Sequence, residues 1–219
     1  RTNLYYVQTK DFGETWTTAE GVVLTLPLET IDNPALVRDY AAEGKLLYTC
    51  DLNFDAKGNP ILLYVLSCDF KPGPAGGERE WTTAHWKEGK WRYSTVATSD
   101  HNYDMGSLYV LPTGEWRVVA PTDPGPQPWG TGGDMVMWSS KDEGNSWVRV
   151  RTITEGSAFN HSYARRPVQA RDPFFSFWAD GDPSRLSESR LYFTNANGDH
   201  VWRLPYTMKE ELASPEIVR

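Results

Sequence analysis

The sequence predicts an all-β protein, a β-propeller of four-stranded antiparallel blades, on three observations. Helical i, i+3, i+4, i+7 spacing is almost absent from the 219 residues, with "PALVRDYAAEG" at 34–44 the one stretch that approaches it. Short runs of strand-forming residues, broken by Gly, Pro, Asn and Asp, fill the rest. A turn followed by tryptophan also recurs at a nearly constant interval.

The elements follow in order. "NLYYVQT", "NPILLYVLS", "GSLYVL", "EWRVVAP", "DMVMWSS", "FFSFWAD", "SRLYFTN" and "HVWRLP" are each of strand length. The turn-and-tryptophan units are "DFGETW", "KEGKW", "DEGNSW" and "NGDHVW", ending at Trp16, Trp91, Trp147 and Trp202. The last three are 147 − 91 = 56 and 202 − 147 = 55 residues apart. Hairpins around "AKGNP", "LPTGEW" and "ARDPFF" fall between them, so a repeat holds two hairpins, or four strands. Four-stranded sheets of this length bury both faces when packed radially, which a sandwich or a solenoid fits less well. The expected blade segments are approximately 1–30, 45–97, 100–153 and 159–206, all in one propeller portion spanning 1–219. That is about three and a half blades, read as part of a larger, seven-bladed propeller.

Composition narrows the function. Ten Trp, 11 Tyr and 8 Phe supply ample core material. A net charge of −7 argues against a nucleic-acid partner, which requires a basic face. No apolar run approaches the roughly 18 residues of a membrane span. Residue 1 is Arg and no signal segment follows it, so the native start and any export signal are expected to lie outside this sequence. No Cys/His cluster has zinc spacing, the acidic residues are too scattered for a calcium site, and "WGTGGD" at 129–134 lacks the Lys-Ser/Thr of a phosphate loop. No metal and no cofactor is therefore expected, and "WGTGGD" reads as a blade-connecting loop. Cys50 and Cys68 flank the "AKGNP" turn, so they are either a disulfide across paired strands or two buried thiols.

Two motifs concern function directly. "DHNYDMGS" at 100–107 and "FNHSYARRP" at 159–167 both contain His-x-Tyr, at His101 and Tyr103 and at His161 and Tyr163, 161 − 101 = 60 residues apart. Each falls where a blade's first, innermost strand begins, so these residues, with Arg165 and Arg166, are expected to border the central channel. Such a set suits β-elimination on a uronic acid. Arginine neutralises the carboxylate, a Tyr or His takes the C5 proton, and another protonates the leaving oxygen. Trp129 is a candidate to stack on a sugar face. The alternative is structural: His and Tyr bonding loop carbonyls, and the Arg-Arg-Pro pinning blades through Asp100 or Asp180. His85 and His200, on outer hairpins, read as solvent-facing or packing residues.

"TKDFGETW" at 9–16 and "SKDEGNSW" at 140–147 share S/T-x-D-x-G-x-T/S-W, which resembles the Asp-box of the BNR (bacterial neuraminidase) repeat. Its logic is architectural: Asp binds backbone amides, Gly takes a positive φ and Trp packs between sheets. Asp11 and Asp142 are thus expected to do no chemistry. With "NHSYARRP", "FWADGDP" and "WGTGGDMVMWSS", nearly the whole chain resembles the C-terminal half of the secreted bacterial BNR-repeat-containing propellers. These include polysaccharide lyases acting on ulvan and related uronic-acid polymers, and a rhamnosidase. The resemblance implies a secreted or periplasmic protein whose partner is an acidic polysaccharide or oligosaccharide. It also implies His and Tyr as actors alongside an Arg. Within the resemblance, a glycoside hydrolase of rhamnosidase or sialidase type, or a non-catalytic glycan-binding scaffold, are the alternatives, although no Arg-Ile-Pro of a sialidase is present.

Overall fold

The computed structural model describes residues 3–101 and 105–219. Among these, the only helical element is a single 3-10 turn at Pro74–Gly76; the rest is antiparallel strand and turn. A short pair, β1 (Leu4–Tyr5) and β2 (Leu36–Arg38), precedes a four-stranded meander of β3 (Leu46–Phe54), β4 (Pro60–Ser67), β5 (Arg79–Lys87) and β6 (Lys90–Ser99). A second meander runs through β7 (Ser107–Val110), β8 (Trp116–Pro124), β9 (Gly133–Ser140) and β10 (Val148–Thr152). The third runs through β11 (Asn160–Arg165), β12 (Ser176–Gly181), β13 (Leu191–Thr194), β14 (Val201–Arg203) and β15 (Glu216–Ile217). Only the pair His161↔Gly133 joins the second and third meanders in one sheet.

The meanders stack face to face because their middle strands are apolar on both sides. In β4, Ile61, Leu63 and Val65 face a core shared with Trp81, Leu108, Trp116 and Val118, while Leu62, Tyr64 and Leu66 face another with Leu4, Tyr6 and Tyr40. This explains why "PILLYVLS" is continuously apolar rather than alternating. In β8, Val118 faces the first core and Val119 the opposite one, with Met135, Met137, Trp178, Tyr192 and Val201. Each large side chain so buried contributes about 1.5–3 kcal/mol.

The first strands of the three meanders lie side by side. Asn53 Nδ2 donates to Leu108 O at 2.8 Å and Leu108 N to Asp51 Oδ2 at 2.8 Å, tying β7 to β3. Ser107 Oγ donates to Ala164 O at 3.0 Å and Ala164 N to Met105 O at 2.9 Å, tying β11 to the approach of β7.

The turns explain themselves chemically. Asp11 Oδ1 accepts from Thr9 Oγ and Thr15 N, both at 2.8 Å, and Thr9 Oγ accepts from Gly13 N at 2.8 Å. Asp142 repeats this with Ser140 Oγ at 2.7 Å and Ser146 N at 2.9 Å, and Gly144 N donates to Ser140 Oγ at 2.8 Å. Hydrogen bonds, led by those from the Thr15 and Ser146 hydroxyls, hold both carboxyls down at about 2. Gly144 has φ +82°, and a Cβ there would sit 2.7 Å from the Trp116 ring, so the turn seats against that core tryptophan.

Three sequence expectations are corrected. Residues 34–44 form no helix: Leu36–Arg38 is a strand, and turns follow with Tyr40 fully buried and its hydroxyl 2.6 Å from that of Tyr64. No disulfide joins Cys50 and Cys68, nor are both buried. The hairpin pairs Thr49 with Tyr64 and Leu46 with Ser67, leaving Cys50 buried at a mid-strand bulge and Cys68 exposed beyond the far end. "WGTGGD" connects β8 to β9 within one meander rather than linking two.

Candidate functional site

Antiparallel topology places the start of β7 and the connector 153–159 at the same end of the sheets as the loops after β4, β8 and β12. Side-chain bonds knit this end together. Asn160 Nδ2 donates to the carbonyls of Gln127, Thr131 and Gly132 at 2.9, 3.1 and 3.0 Å, and its own amide takes Gln127 Oε1 at 2.9 Å. The glycines of "WGTGGD" permit the approach: a Cβ at Gly132 would lie 2.6 Å from His161 O, and one at Gly133 2.0 Å from Asp123 O. Gly133 lies between the two candidate histidines, paired with His161 and positioned so that its Cβ would be 3.2 Å from His101 Cε1.

Both histidines are buried. His101 is 0% exposed, with Nδ1 2.7 Å from Asp100 Oδ1, while Asp100 Oδ2 accepts Trp129 N–H at 2.7 Å. Burial works to raise the Asp100 carboxyl, but the hydrogen bonds from His101 and the Trp129 amide prevail and hold it below its ordinary value. His161 is 1% exposed. The Trp178 indole, which can only donate, gives its N–H to His161 Nδ1 at 3.0 Å, so the ring proton is on Nε2, 2.7 Å from Ser157 Oγ. Burial in this site pushes the His161 imidazole down to about 4, against the opposing pull of Asp180, so it is neutral at ordinary pH.

The other candidates lie along or beside the first strands. Tyr163 is 49% exposed and has φ +61°, an uncommon conformation for a bulky residue, at the irregularity in the β11–β12 register. Arg165 is exposed, and its guanidinium is bonded to no described residue. Arg166 reaches β3, with Nη2 3.4 Å from Asp51 Oδ1 and 3.3 Å from Leu52 O, so its acidic partner is Asp51 rather than Asp100 or Asp180. Trp129 is half-buried at φ +62° with the Arg79 guanidinium 5.9 Å from its ring centroid, which occupies one ring face. Tyr103 lies outside the described residues. His85 is a packing residue, bonded to Asp55 at 3.0 Å and edge-on to Trp116 at 4.9 Å, while His200 is exposed and stacked on Trp202.

The structure adds a feature that the motifs did not reveal. A cavity of about 430 Å³ opens beside connector 153–159, between it and β13 and β14. Its buried wall is His161, Asp180 and Tyr192, the Tyr192 hydroxyl donating to Asp180 Oδ2 at 2.8 Å. Arg190, Arg203 and Arg219 supply cationic lining and Phe159 an aromatic edge. The available signal was strand periodicity: Arg190 with Tyr192, and Val201 with Arg203, are i, i+2 pairs that share one face.

Residues 1–99 match the sequence profile of the family described as "BNR repeat-containing family member". The match covers the first of the two S/T-x-D-x-G-x-T/S-W turns but not "NHSYARRP" or "FWADGDP". A search of curated proteins finds no match. Among solved structures, the fold is similar to an ulvan lyase of polysaccharide lyase family PL25 bound to -[GlcA(1-4)Rha3S]-, with TM-score 0.66 and 17% identity over 89% of this chain and 43% of that one. A second structure of an ulvan lyase of that family gives TM-score 0.63, also at 17% identity and with the same coverage. A Dyadobacter fermentans protein of unknown function gives 0.50 at 15% identity, over 98% of this chain and 52% of that one. The chain thus spans about half the length, or less, of the structures it resembles. It carries a BNR-repeat family match over residues 1–99, and across most of its length it has the antiparallel fold found in these lyases.

Proposed function

We propose that this chain is part of a secreted, carbohydrate-active β-propeller that cleaves a uronic-acid-containing polysaccharide by β-elimination. The three meanders are read as blades, near 45–97, 100–153 and 159–206, and residues near 1–30 as part of a further one. The remaining blades of a seven-bladed ring would come from chain beyond these residues. The limited coverage of the structurally similar lyases supports that reading. So does the row of first strands β3, β7 and β11, which would line a central channel.

The observation carrying the reaction is Tyr163, exposed and in a left-handed conformation two residues from Arg165, whose guanidinium has no partner among the described residues. Backbone strain in a bulky residue is retained where its direction matters. In this scheme Arg165 neutralises the uronate carboxylate, aided by Arg166, which Asp51 orients. Tyr163, entering the step as its phenolate, receives the C5 proton, a C4–C5 double bond forms as the C4–O bond breaks, and Tyr103 or water protonates the departing oxygen. His101 and His161 hold the inner strands and the Trp129 loop in place. Trp129 offers its remaining face to a sugar.

One observation favours a second reading. Both His161 nitrogens are bonded within the fold and both histidines are buried, as a binding propeller would tolerate. The experiment is incubation of the full chain with glucuronate–rhamnose and other uronate polysaccharides, following unsaturated-uronate absorbance and new reducing ends together. Elimination raises both, hydrolysis raises only the second, and binding without either signal supports the scaffold. Arg165→Gln should lower kcat/KM about 10- to 100-fold, the loss of one charge-assisted contact.

A further inference from the structure

We infer that the cavity beside connector 153–159 is a separate binding site for one sugar unit bearing a carboxylate or sulfate. It is a half-open cleft with about 430 Å³ of space, enough for a monosaccharide and its first hydration. Its lining carries more cationic than anionic side chains, although two of the three arginines are also paired with glutamates outside it. Arg190, Arg203 and Arg219 line it, against Asp180 and Glu155.

Asp180 is already occupied within the protein. Oδ2 accepts the Tyr192 hydroxyl at 2.8 Å and Oδ1 accepts Arg190 N–H at 2.7 Å, so this carboxylate serves the wall of the cavity. The arginines are only partly used. Arg190 spends Nη2 on Glu188 at 2.7 Å, and Arg219 spends Nη1 on the carbonyls of Thr152 and Ile153 at 2.7 and 3.5 Å. Their remaining N–H groups have no hydrogen-bond partner among the described residues, and the Arg190 guanidinium lies over the Tyr206 ring at 5.7 Å. Arg203 is held by Glu216 through Nε and Nη2, at 3.2 and 2.6 Å, which fixes its guanidinium plane at the rim. Several guanidinium groups lining one polar cleft suit a planar or tetrahedral oxyanion. The half-buried ring of Phe159 gives a sugar apolar surface to cover.

The wall is rigid for stated reasons. His161 and Tyr192 pack edge-on at 4.9 Å, and Tyr192 stacks on Trp178 at 5.9 Å, so the floor is fixed before a ligand arrives. This site does not depend on the elimination reading: it shares His161 of β11 as part of its wall, but neither Tyr163 nor Arg165 lines it.

The test is calorimetric titration of the full chain with an oligoglucuronate, a sulfated oligogalactan and a neutral cello-oligosaccharide of matched length. One or both anionic probes should bind and the neutral one should not. The doubly substituted Arg190→Gln/Arg203→Gln protein should bind about tenfold or more weakly. Ala158→Trp, an exposed substitution on the rim, should block binding without removing any charge. If neither anionic probe binds, if the neutral probe binds equally well, or if Ala158→Trp binds as the parent does, the inference is overturned. The two proposals fail separately: cleavage with unaltered binding by these variants defeats this site alone, and binding lost in them without any cleavage defeats the reaction alone.

Discussion

Replacing His161 with Gln should remove most of the acid sensitivity that this one side chain gives the fold. The imidazole titrates near 4 when folded and near 6.5 when unfolded, and the low folded value follows from burial. The unfolded chain therefore binds the proton more readily. The histidine's contribution is fully present above pH 6.5 and is lost as pH falls toward 4. A gap of about 2.5 pH units, at about 1.4 kcal/mol per unit, amounts to about 3 kcal/mol in total, of which about 2 kcal/mol is lost between pH 7 and 5. A Gln at 161 can accept the Trp178 N–H and donate toward Ser157 without titrating. Urea denaturation of both proteins from pH 7 to 4 measures the difference, and the carboxylates common to both cancel in it. The parent should lose about 2 kcal/mol more than the variant between pH 7 and 5. Parallel profiles would refute the assignment of a buried, neutral imidazole.

Three further outcomes are expected. Gly133→Ala should cost about 1–3 kcal/mol by thermal denaturation, because its Cβ would be 2.0 Å from the Asp123 carbonyl oxygen and the β8–β9 ladder must part. An unchanged midpoint would mean that the ladder opens there without penalty. Asp142→Ala should lower the melting temperature at neutral pH and leave any activity intact. Since this carboxyl is lowered from 3.8 to about 2, the parent's advantage should hold above about pH 4 and be lost as pH falls from there to about 2. A thiol reagent should label Cys68 in the native protein and Cys50 only after unfolding, and reductant should leave the electrophoretic mobility unchanged. A native chain with no reactive thiol would contradict this.

The strand plan was legible because period-2 patterning and turn chemistry are local. "AKGNP", "KEGKW", "LPTGEW" and "DEGNSW" are all hairpins, and Asp55, Gly58 and the two Asp-containing turns fold by bonds within five residues. "PALVRDYAAEG" misled because its apolar spacing fits a helix, whereas the pairing of Leu36 with Tyr5 and the burial of Tyr40 are tertiary choices. The cysteines misled for a related reason: a turn fixes that two strands pair, but the bulge at Thr49/Asp51 and the strand lengths decide which residues meet.

The candidate site was legible as residue types and not as exposure. His-x-Tyr marked the start of β11, while His101 of the other copy falls just after β6, and nothing in the motif shows that Trp178, 17 residues on, would bind the His161 ring, or that Arg166 would reach Asp51, 115 residues away. The arginine-lined cavity escaped notice because its members come from β13, β14 and the chain end, and only the stacking of meanders brings them to connector 153–159.

The most direct test of elimination is the mass of the products released from a glucuronate–rhamnose polysaccharide by the full chain, beside Tyr163→Phe. The account predicts fragments lighter than hydrolysis products by one water at the new non-reducing end, and their loss in the variant. Fragments of full hydrolytic mass, or unsaturated fragments formed equally by Tyr163→Phe, would contradict it.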